Sequence, residues 1–251
     1  MTVLVTRPGE QGKALCHQLQ LHGVKALHHP LITIQAGEHL SSLPLQLRDI
    51  DIVIAVSQHA VKFARRVLTD QQVDWPQSIT YLAVGQKTAH YLGKAVQQNV
   101  NYPEVSDSEH LLSMPQLNDI VGKRILILRG NGGRELIFDT LIQRQAQVEY
   151  CEVYKRENLA FRSELTVPLW QDNQVDRLVI TSSGQLNFFI QQTMPQYQSW
   201  LQQLTLFVPS ERIANEARRF GFHSVVNTGS ASNQDLLATL WPNKQDENHD
   251  K

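Results

Sequence analysis

Apolar residues along this chain gather in short unbroken runs rather than alternating with polar ones. Residues 3–6, 52–56, 125–128 and 178–181 are apolar on consecutive positions, as in strands covered on both faces and hence in a parallel sheet. Between the runs lie segments with helical spacing. They are Ala14, Leu15, Leu19 and Leu21; Ile137, Leu141 and Ile142; and Ile213, Ala214, Ala217 and Phe220, the last closed by Gly221 as a C-terminal cap. Strand and helix follow one another repeatedly, which predicts βα units with right-handed crossovers and helices on both sheet faces. The expected class is α/β, with an open, parallel, flavodoxin-like sheet in each of two similar domains. Residues 242–251 are polar and aperiodic and are expected to form a frayed tail.

The two halves repeat one another. Val3-Leu-Val-Thr-Arg-Pro-Gly9, followed by Leu15, Leu19, Leu31 and Ile32, lines up with Ile125-Leu-Ile-Leu-Arg-Gly-Asn131, followed by Ile137, Leu141, Val153 and Tyr154, at an offset of 122 residues. Residues 51–57 match 176–182, residues 82–85 match 207–210, and Leu111-Leu112 matches Leu236-Leu237, at an offset of 125. Four elements recur in one order with a single small insertion, so the chain reads as two copies of one fold unit.

In an open parallel sheet the ligand crevice lies off the carboxyl ends of the strands. There, loops feed helix N-termini that carry free N–H groups and a positive dipole end. Those loops read Thr6-Arg7-Pro8-Gly9, Ser57-Gln58-His59, Gly85-Gln86-Lys87-Thr88, Arg129-Gly130-Asn131-Gly132-Gly133-Arg134, Ser182-Ser183-Gly184 and Ser210-Glu211-Arg212. Any single Ser or Thr here serves equally well as a helix cap. Six small, hydroxylic or basic loops together suit an anionic ligand held by backbone donors, hydroxyls and a few guanidinium groups. Tyr154 ends the strand 148–154 where the chain passes into its second half, and on the residues alone a core or interface tyrosine is as good a reading as a functional one.

Other chemistries are weakly supported. Loop 129–134 lacks both Gly-x-Gly-x-x-Gly and the Lys-Ser/Thr of a P-loop, which weakens a nucleotide-dependent transferase. His28 and His29 would point to opposite faces of a strand, and no further ligand stands at metal-binding spacing. Cys16 and Cys151 are far apart and outside any CxxC motif, so they are expected to be buried, reduced thiols. The 251 residues are 41% hydrophobic and 19% charged, with 23 Lys+Arg against 24 Asp+Glu, a formal net charge of −1. That composition excludes a disordered, collagen-like or coiled-coil chain. It gives no general attraction to nucleic acid or an anionic membrane. No apolar run reaches membrane-spanning length. Residues 1–10 read as a strand entering a Pro-Gly turn rather than a leader, so the expected location is the cytoplasm.

The order and spacing of these pieces carry a family resemblance: Val3-Leu-Val-Thr-Arg-Pro8, residues 51–57 with Ala60-Val61, Ala83-Val84-Gly85 with Thr88-Ala89, residues 122–130, Val153-Tyr154-Lys155-Arg156, Thr181-Ser182-Ser183 and residues 208–214. From Val3 to about Leu240 the chain resembles the uroporphyrinogen-III synthases of the bacterial type. The resemblance implies a cyclising lyase of tetrapyrrole (haem) synthesis. Such an enzyme expels the terminal hydroxyl of linear hydroxymethylbilane as water and closes the ring with ring D inverted, using no cofactor and no metal. It further implies a discontinuous domain of 1–34 plus 156–251, a second domain of 38–152 and a connector of 35–37 and 153–155. Tyr154 matches the family's proposed general acid. Ser57, Thr88, Ser182 and Ser183 match substrate-facing positions, Ser210 is added from its loop, and Arg7, Arg129 and Arg134 are taken as carboxylate partners. Where Thr88 stands in one half, Ile213 stands in the other. The expected protein is a monomer whose partner is its small-molecule substrate, with a transient contact to the preceding enzyme as the one protein partner considered. The alternative is a non-catalytic two-domain binding protein for a small polyanion.

Overall fold

The computed structural model describes residues 1–241, and the expectation of a frayed tail at 242–251 falls outside the described residues. The chain forms two compact units, residues 1–33 with the chain from Glu157 onward, and Ile34–Arg156. It opens with β1 (Thr2–Val5), α1 (Gly9–Leu21) and β2 (Lys25–His28), and leaves the first unit along β3 (Ile32–Ala36). The second unit continues with α2 (Leu43–Gln46), β4 (Ile52–Ala55), α3 (Gln58–Asp70), β5 (Thr80–Ala83), α4 (Gln86–Val96), α5 (Ser108–Leu112), β6 (Arg124–Gly130), α6 (Leu136–Gln143) and β7 (Gln147–Asn158). The first unit is then completed by α7 (Ser163–Asp172), β8 (Arg177–Val179), α8 (Ser183–Gln192), α9 (Gln198–Gln203), β9 (Thr205–Val208), α10 (Glu211–Arg219), β10 (Ser224–Asn227) and α11 (Asn233–Leu240). The connector positions 35–37 and 153–155 fall in or beside β3 and within β7.

The sheets are ordered β10-β9-β8-β1-β2 and β3-β7-β6-β4-β5. β1 pairs in parallel with β2 and β8, and β6 pairs in parallel with β7 and β4. The sequence repeat is therefore a repeat of neighbourhoods: β1, β2, β8 and β9 occupy in one sheet the places that β6, β7, β4 and β5 occupy in the other. Numbered from β1, the first sheet has the order 2-1-3-4-5, the flavodoxin-like order, whose topological switch point lies between its first and third strands. The corresponding switch point of the second unit lies between β6 and β4.

Consecutive apolar residues fill both faces of each sheet, as the unbroken runs require. In the first unit Leu4, Leu178, Ile180 and Leu206 pack on one face, and Val3, Val5, Val179 and Phe207 pack on the other. In the second, Val53, Ala55, Leu126 and Leu128 oppose Ile52, Ile54, Ile125 and Ile127. Helical stripes differ in detail from the sequence expectation. The buried face of α1 is Gly12, Leu15, Cys16 and Leu19, so Ala14 and Leu21 face solvent, as does Ile142 on α6. A period of 3.6 residues carries positions 14 and 21 off the face defined by 12, 15, 16 and 19. Both cysteines are buried, and burial raises the thiol of Cys16 to about 11 and that of Cys151 to about 12.

Candidate functional site

At the switch point of the second unit, the carboxyl ends of β4 and β6 deliver Val56, Ser57, Arg129 and Gly130 to a cavity of about 260 Å³ that Arg134, Tyr150, Tyr154 and Arg156 also line. How Tyr154 reaches it is a matter of strand register. β6 and β7 run in step from Arg124↔Gln147 to Arg129↔Glu152, but the next pair is Gly130↔Tyr154. β7 thus takes up one extra residue, Val153, as a bulge. Before the bulge, Val148 and Tyr150 pack on one face and Cys151 on the other. Strict alternation would send Tyr154 to the face of Val148 and Tyr150. Instead it packs with Cys151 and Val153, against Phe63 of α3 at 6.2 Å between ring centroids and His59 at 5.8 Å.

The side chain of Tyr154 is buried, the residue being 1% exposed. Its oxygen accepts hydrogen bonds from Ser57 Oγ at 3.1 Å and from Arg156 Nη2 at 3.0 Å. Ser57 also caps α3, its Oγ accepting from Ala60 N at 3.2 Å, so the helix and the phenol share one hydroxyl. Gly130 leaves the room: a Cβ there would lie 2.5 Å from the Tyr154 ring. Next to it, Asn131 donates its backbone N–H to Tyr154 O at 3.1 Å, and its Oδ1 accepts from Arg156 N at 2.7 Å, which fixes the backbone on both sides of Lys155. Burial, then Arg156 and Lys62, lower the pKa of His59, so its imidazole is neutral at pH 7.

Arg129 is 5% exposed and lies 4.2 Å from the centroid of the Tyr150 ring, and its Nη1 pairs with Glu135 Oε1 at 3.0 Å. Tyr150 donates to the other Glu135 oxygen at 2.5 Å. These contacts, Tyr150 first and Arg129 second, hold the Glu135 carboxyl below its usual range, while burial and then Glu135 push the Tyr150 phenol up. Arg129 thus already carries an internal carboxylate, and an incoming one must join or displace Glu135. Arg134 is exposed and pairs with Glu109 at 2.7 Å. Thr88 lines an adjoining cavity of about 360 Å³ that shares Val56 and Val84 with the first.

The remaining expected residues belong to the other unit. Arg7 is 7% exposed and donates to Asn233 Oδ1 and, at 2.8 Å, to Gln11 Oε1, so it ties α1 to the start of α11. Its Nε is buried without a hydrogen-bond partner among the described residues, and burial lowers its pKa. Ser182 caps α8 through Gln185 N, Ser183 Oγ accepts from Arg212 at 2.8 Å, and Ser210 stands at the N-cap of α10 without a side-chain capping bond. Ile213, in the place of Thr88, is buried in that unit's core. The structure therefore gathers Ser57, Arg129, Arg134 and Tyr154 around one cavity with Thr88 beside it, and keeps Arg7, Ser182, Ser183 and Ser210 in the other unit. Sequence reasoning missed Arg156, His59, Glu135 and Tyr150. Arg156 and His59 each stand two positions from a chosen residue, Tyr154 and Ser57, and that spacing was the available signal. Among the described residues no cluster of three or more His, Cys, Asp or Glu could hold a metal, and no helix is long and apolar enough to cross a membrane.

Two flavodoxin-like units related by duplication, with a buried phenol and buried arginines at the strand ends, define a class of two-unit α/β proteins. Comparison with known proteins narrows it. The family model described as "Uroporphyrinogen-III synthase HemD" matches residues 13–238. The uroporphyrinogen-III synthase of Escherichia coli (strain K12) is 40% identical over 246 residues, covering 96% of this chain and 100% of that protein. That of Salmonella typhimurium is 39% identical over 245 residues, with 96% and 100% covered. The chain belongs to the uroporphyrinogen-III synthase family. Among solved structures, a mutant uroporphyrinogen III synthase from the extremely thermophilic bacterium Thermus thermophilus superposes with a TM-score of 0.66 at 16% identity, covering 96% of this chain and 97% of that one. The Helicobacter pylori 26695 enzyme superposes at 0.56 with 17% identity, covering 96% and 99%. At such identities these likenesses show the fold.

Proposed function

We propose that the protein is a uroporphyrinogen-III synthase, a lyase that removes water from linear hydroxymethylbilane and closes the macrocycle with ring D inverted. The named relatives favour this enzyme over a non-catalytic binder. The observation that carries the mechanism is the buried Tyr154 phenol, whose oxygen accepts two hydrogen bonds and whose own proton remains to be donated into the cavity. In this reading that proton passes to the departing hydroxyl as the C–O bond breaks, giving water and an azafulvene cation delocalised over the pyrrole. The electron-rich ring supplies the reactive power. The protein's part is to hold the chain folded over so that the substituted carbon of ring D attacks the azafulvene carbon and then gives up its bond to the ring-C bridge, which is catalysis by positioning and differential binding.

While Ser57, whose one hydroxyl hydrogen goes to Tyr154, faces the substrate beside the phenol, substrate carboxylates are assigned to Arg129, Arg134, Arg7 and the hydroxyls of Thr88, Ser182, Ser183 and Ser210. Arg129 and Arg134 exchange partners with Glu135 and Glu109 in doing so. The reading calls on no cofactor and places the enzyme in the cytoplasm as a monomer. The test is to supply hydroxymethylbilane to the purified protein, oxidise the products and separate uroporphyrin isomers I and III, with Tyr154→Phe alongside. Isomer III from the wild type and a loss of kcat of about 100-fold or more in the variant are expected for a general acid. Isomer I alone would remove the synthase reading, and an undiminished variant would return Tyr154 to the core.

A further inference from the structure

We infer that Arg156 is a positioning residue for the synthase reaction, acting through the oxygen of Tyr154. This rests on the reading of Tyr154 as the acid. The guanidinium lies on the same strand two residues beyond the phenol, with Nη2 3.0 Å from the phenol oxygen and Cζ 5.2 Å from the ring centroid. An Arg two positions along an ordinary strand shares a side with Tyr154 but has no obligation to reach its oxygen. Here the backbone is held for it: the Asn131 side chain accepts from Arg156 N at 2.7 Å and donates to Arg156 O at 3.3 Å, while its backbone N–H binds Tyr154 O at 3.1 Å. The bulge at Val153 has already placed the phenol on the face where Ser57 and His59 meet it.

The arrangement has a chemical consequence. With Ser57 and Arg156 both donating, the phenol oxygen's acceptor positions are filled and its hydrogen is directed away from both, toward the cavity. When the O–H bond breaks, the electron pair stays on the phenol oxygen, the proton goes to the substrate hydroxyl and water leaves. The phenolate left behind faces one hydroxyl donor and one full positive charge. A charged donor aimed at an oxygen that becomes anionic only in the transition state stabilises that state more than the ground state. Once the substituted carbon of ring D has bonded to the azafulvene carbon, its bond to the ring-C bridge breaks, the free α-carbon of ring D bonds to that bridge, and the proton this carbon loses restores the phenol, so the cycle consumes hydroxymethylbilane and yields the macrocycle and water. His59 cannot take the cation's part, since burial together with Arg156 and Lys62 keeps it neutral.

The experiment is a mutant cycle on the full-length protein with hydroxymethylbilane as substrate, using Arg156→Gln, Arg156→Lys, Tyr154→Phe and Arg156→Gln/Tyr154→Phe. Arg156 is exposed, so its replacement leaves the urea midpoint in place. Arg156→Gln is expected to lower kcat by about 10- to 100-fold, as for loss of a charge-assisted hydrogen bond, with KM changed by less than about threefold. Arg156→Lys should recover much of the loss. On the Tyr154→Phe background the same change should cost less than about twofold, because there is no oxygen left to act through. Equal losses on both backgrounds, or a loss confined to KM, would overturn the inference and make Arg156 a carboxylate binder. A fully active Tyr154→Phe would overturn it too. If Tyr154→Phe turns over too slowly to measure, the lysine variant decides, and a loss equal to that of glutamine is the overturning result. A wild type that yields only isomer I would instead dismiss the synthase reading, a different outcome from a silent Arg156→Gln in an active enzyme.

Discussion

A hydrogen atom against a methyl group decides whether the phenol fits. Gly130 faces the Tyr154 ring so closely that a Cβ would sit 2.5 Å from Cε2. The ring cannot yield easily, because Phe63 and His59 flank it and two hydrogen bonds hold its oxygen. Gly130→Ala is therefore expected to destabilise the protein by about 1–3 kcal/mol, the usual penalty of overpacking, and to lower kcat as the phenol is displaced. Urea unfolding checks the first part, and an unchanged midpoint would mean that the ring moves freely. The two equivalent arginines show how much one partner matters. Arg7 and Arg129 stand at the same place in the repeat and both are buried, yet Arg129 has a carboxylate and an aromatic face while Arg7 has two amide oxygens and an unpaired Nε.

Helix ends offer a way to raise stability without touching the site. Gln72, Gln97, Gln145 and Gln174 each adopt a left-handed backbone, with φ of 56°, 57°, 63° and 54°, just after α3, α4, α6 and α7. Gly23 and Gly221 do the same after α1 and α10. The conformation costs a residue with a Cβ about 1–2 kcal/mol, partly offset by glycine's greater freedom when unfolded. Gln145→Gly and Gln174→Gly, both away from the buried core, should each stabilise the protein by about 0.5–1 kcal/mol. Thermal melting of the single variants checks this, and a lower melting temperature would show that the glutamine side chains hold the turns. At this scale the sequence was most informative. The strands were legible because a sheet covered on both faces needs apolar residues without alternation, and the repeat was legible because both copies obey that need. Which sheet β1 joins was not legible in any local pattern and entered only through the family resemblance. Nor could the sequence show Arg7 reaching Asn233, a contact made by chain folding rather than spacing. The candidate site was half legible: Ser57, Thr88 and Tyr154 stand where strand-end logic looks for them, whereas Arg156 and Glu135 matter only through what they touch.

Over the whole molecule, acid should act through half-buried histidines before it acts through carboxylates. His29 in one unit lies edge-on to Phe161 and Trp170, at 5.1 and 5.0 Å between centroids, with Nε2 buried and unpartnered among the described residues. His59 in the other is half-buried, with Arg156 near enough to act on its charge. Burial first, and a neighbouring positive charge second, lower both pKa values from the ordinary value of 6.5. The unfolded chain then binds more protons than the folded one below that value. Stability is fully present above about pH 6.5 and is lost as pH falls beneath it. The carboxylates held low, such as Glu135 and Glu211, lose their partners only below their ordinary range, and exposed pairs contribute little. The urea midpoint should thus fall between about pH 7 and pH 5, and His29→Leu should flatten part of that slope. An equal fall in the variant would refute the assignment.

The bulge on β7 also has a hereditary consequence. Removing the codon for Glu152 or Val153 would take out the one residue the bulge absorbs, and strict alternation from Cys151 would then carry the tyrosine to the face it already occupies. Such an allele would look disruptive in a list of residues and would keep the phenol on the side where Ser57 and Arg156 meet it. In this stretch, natural variation is expected to tolerate the loss of the one bulged residue more readily than the loss of the tyrosine.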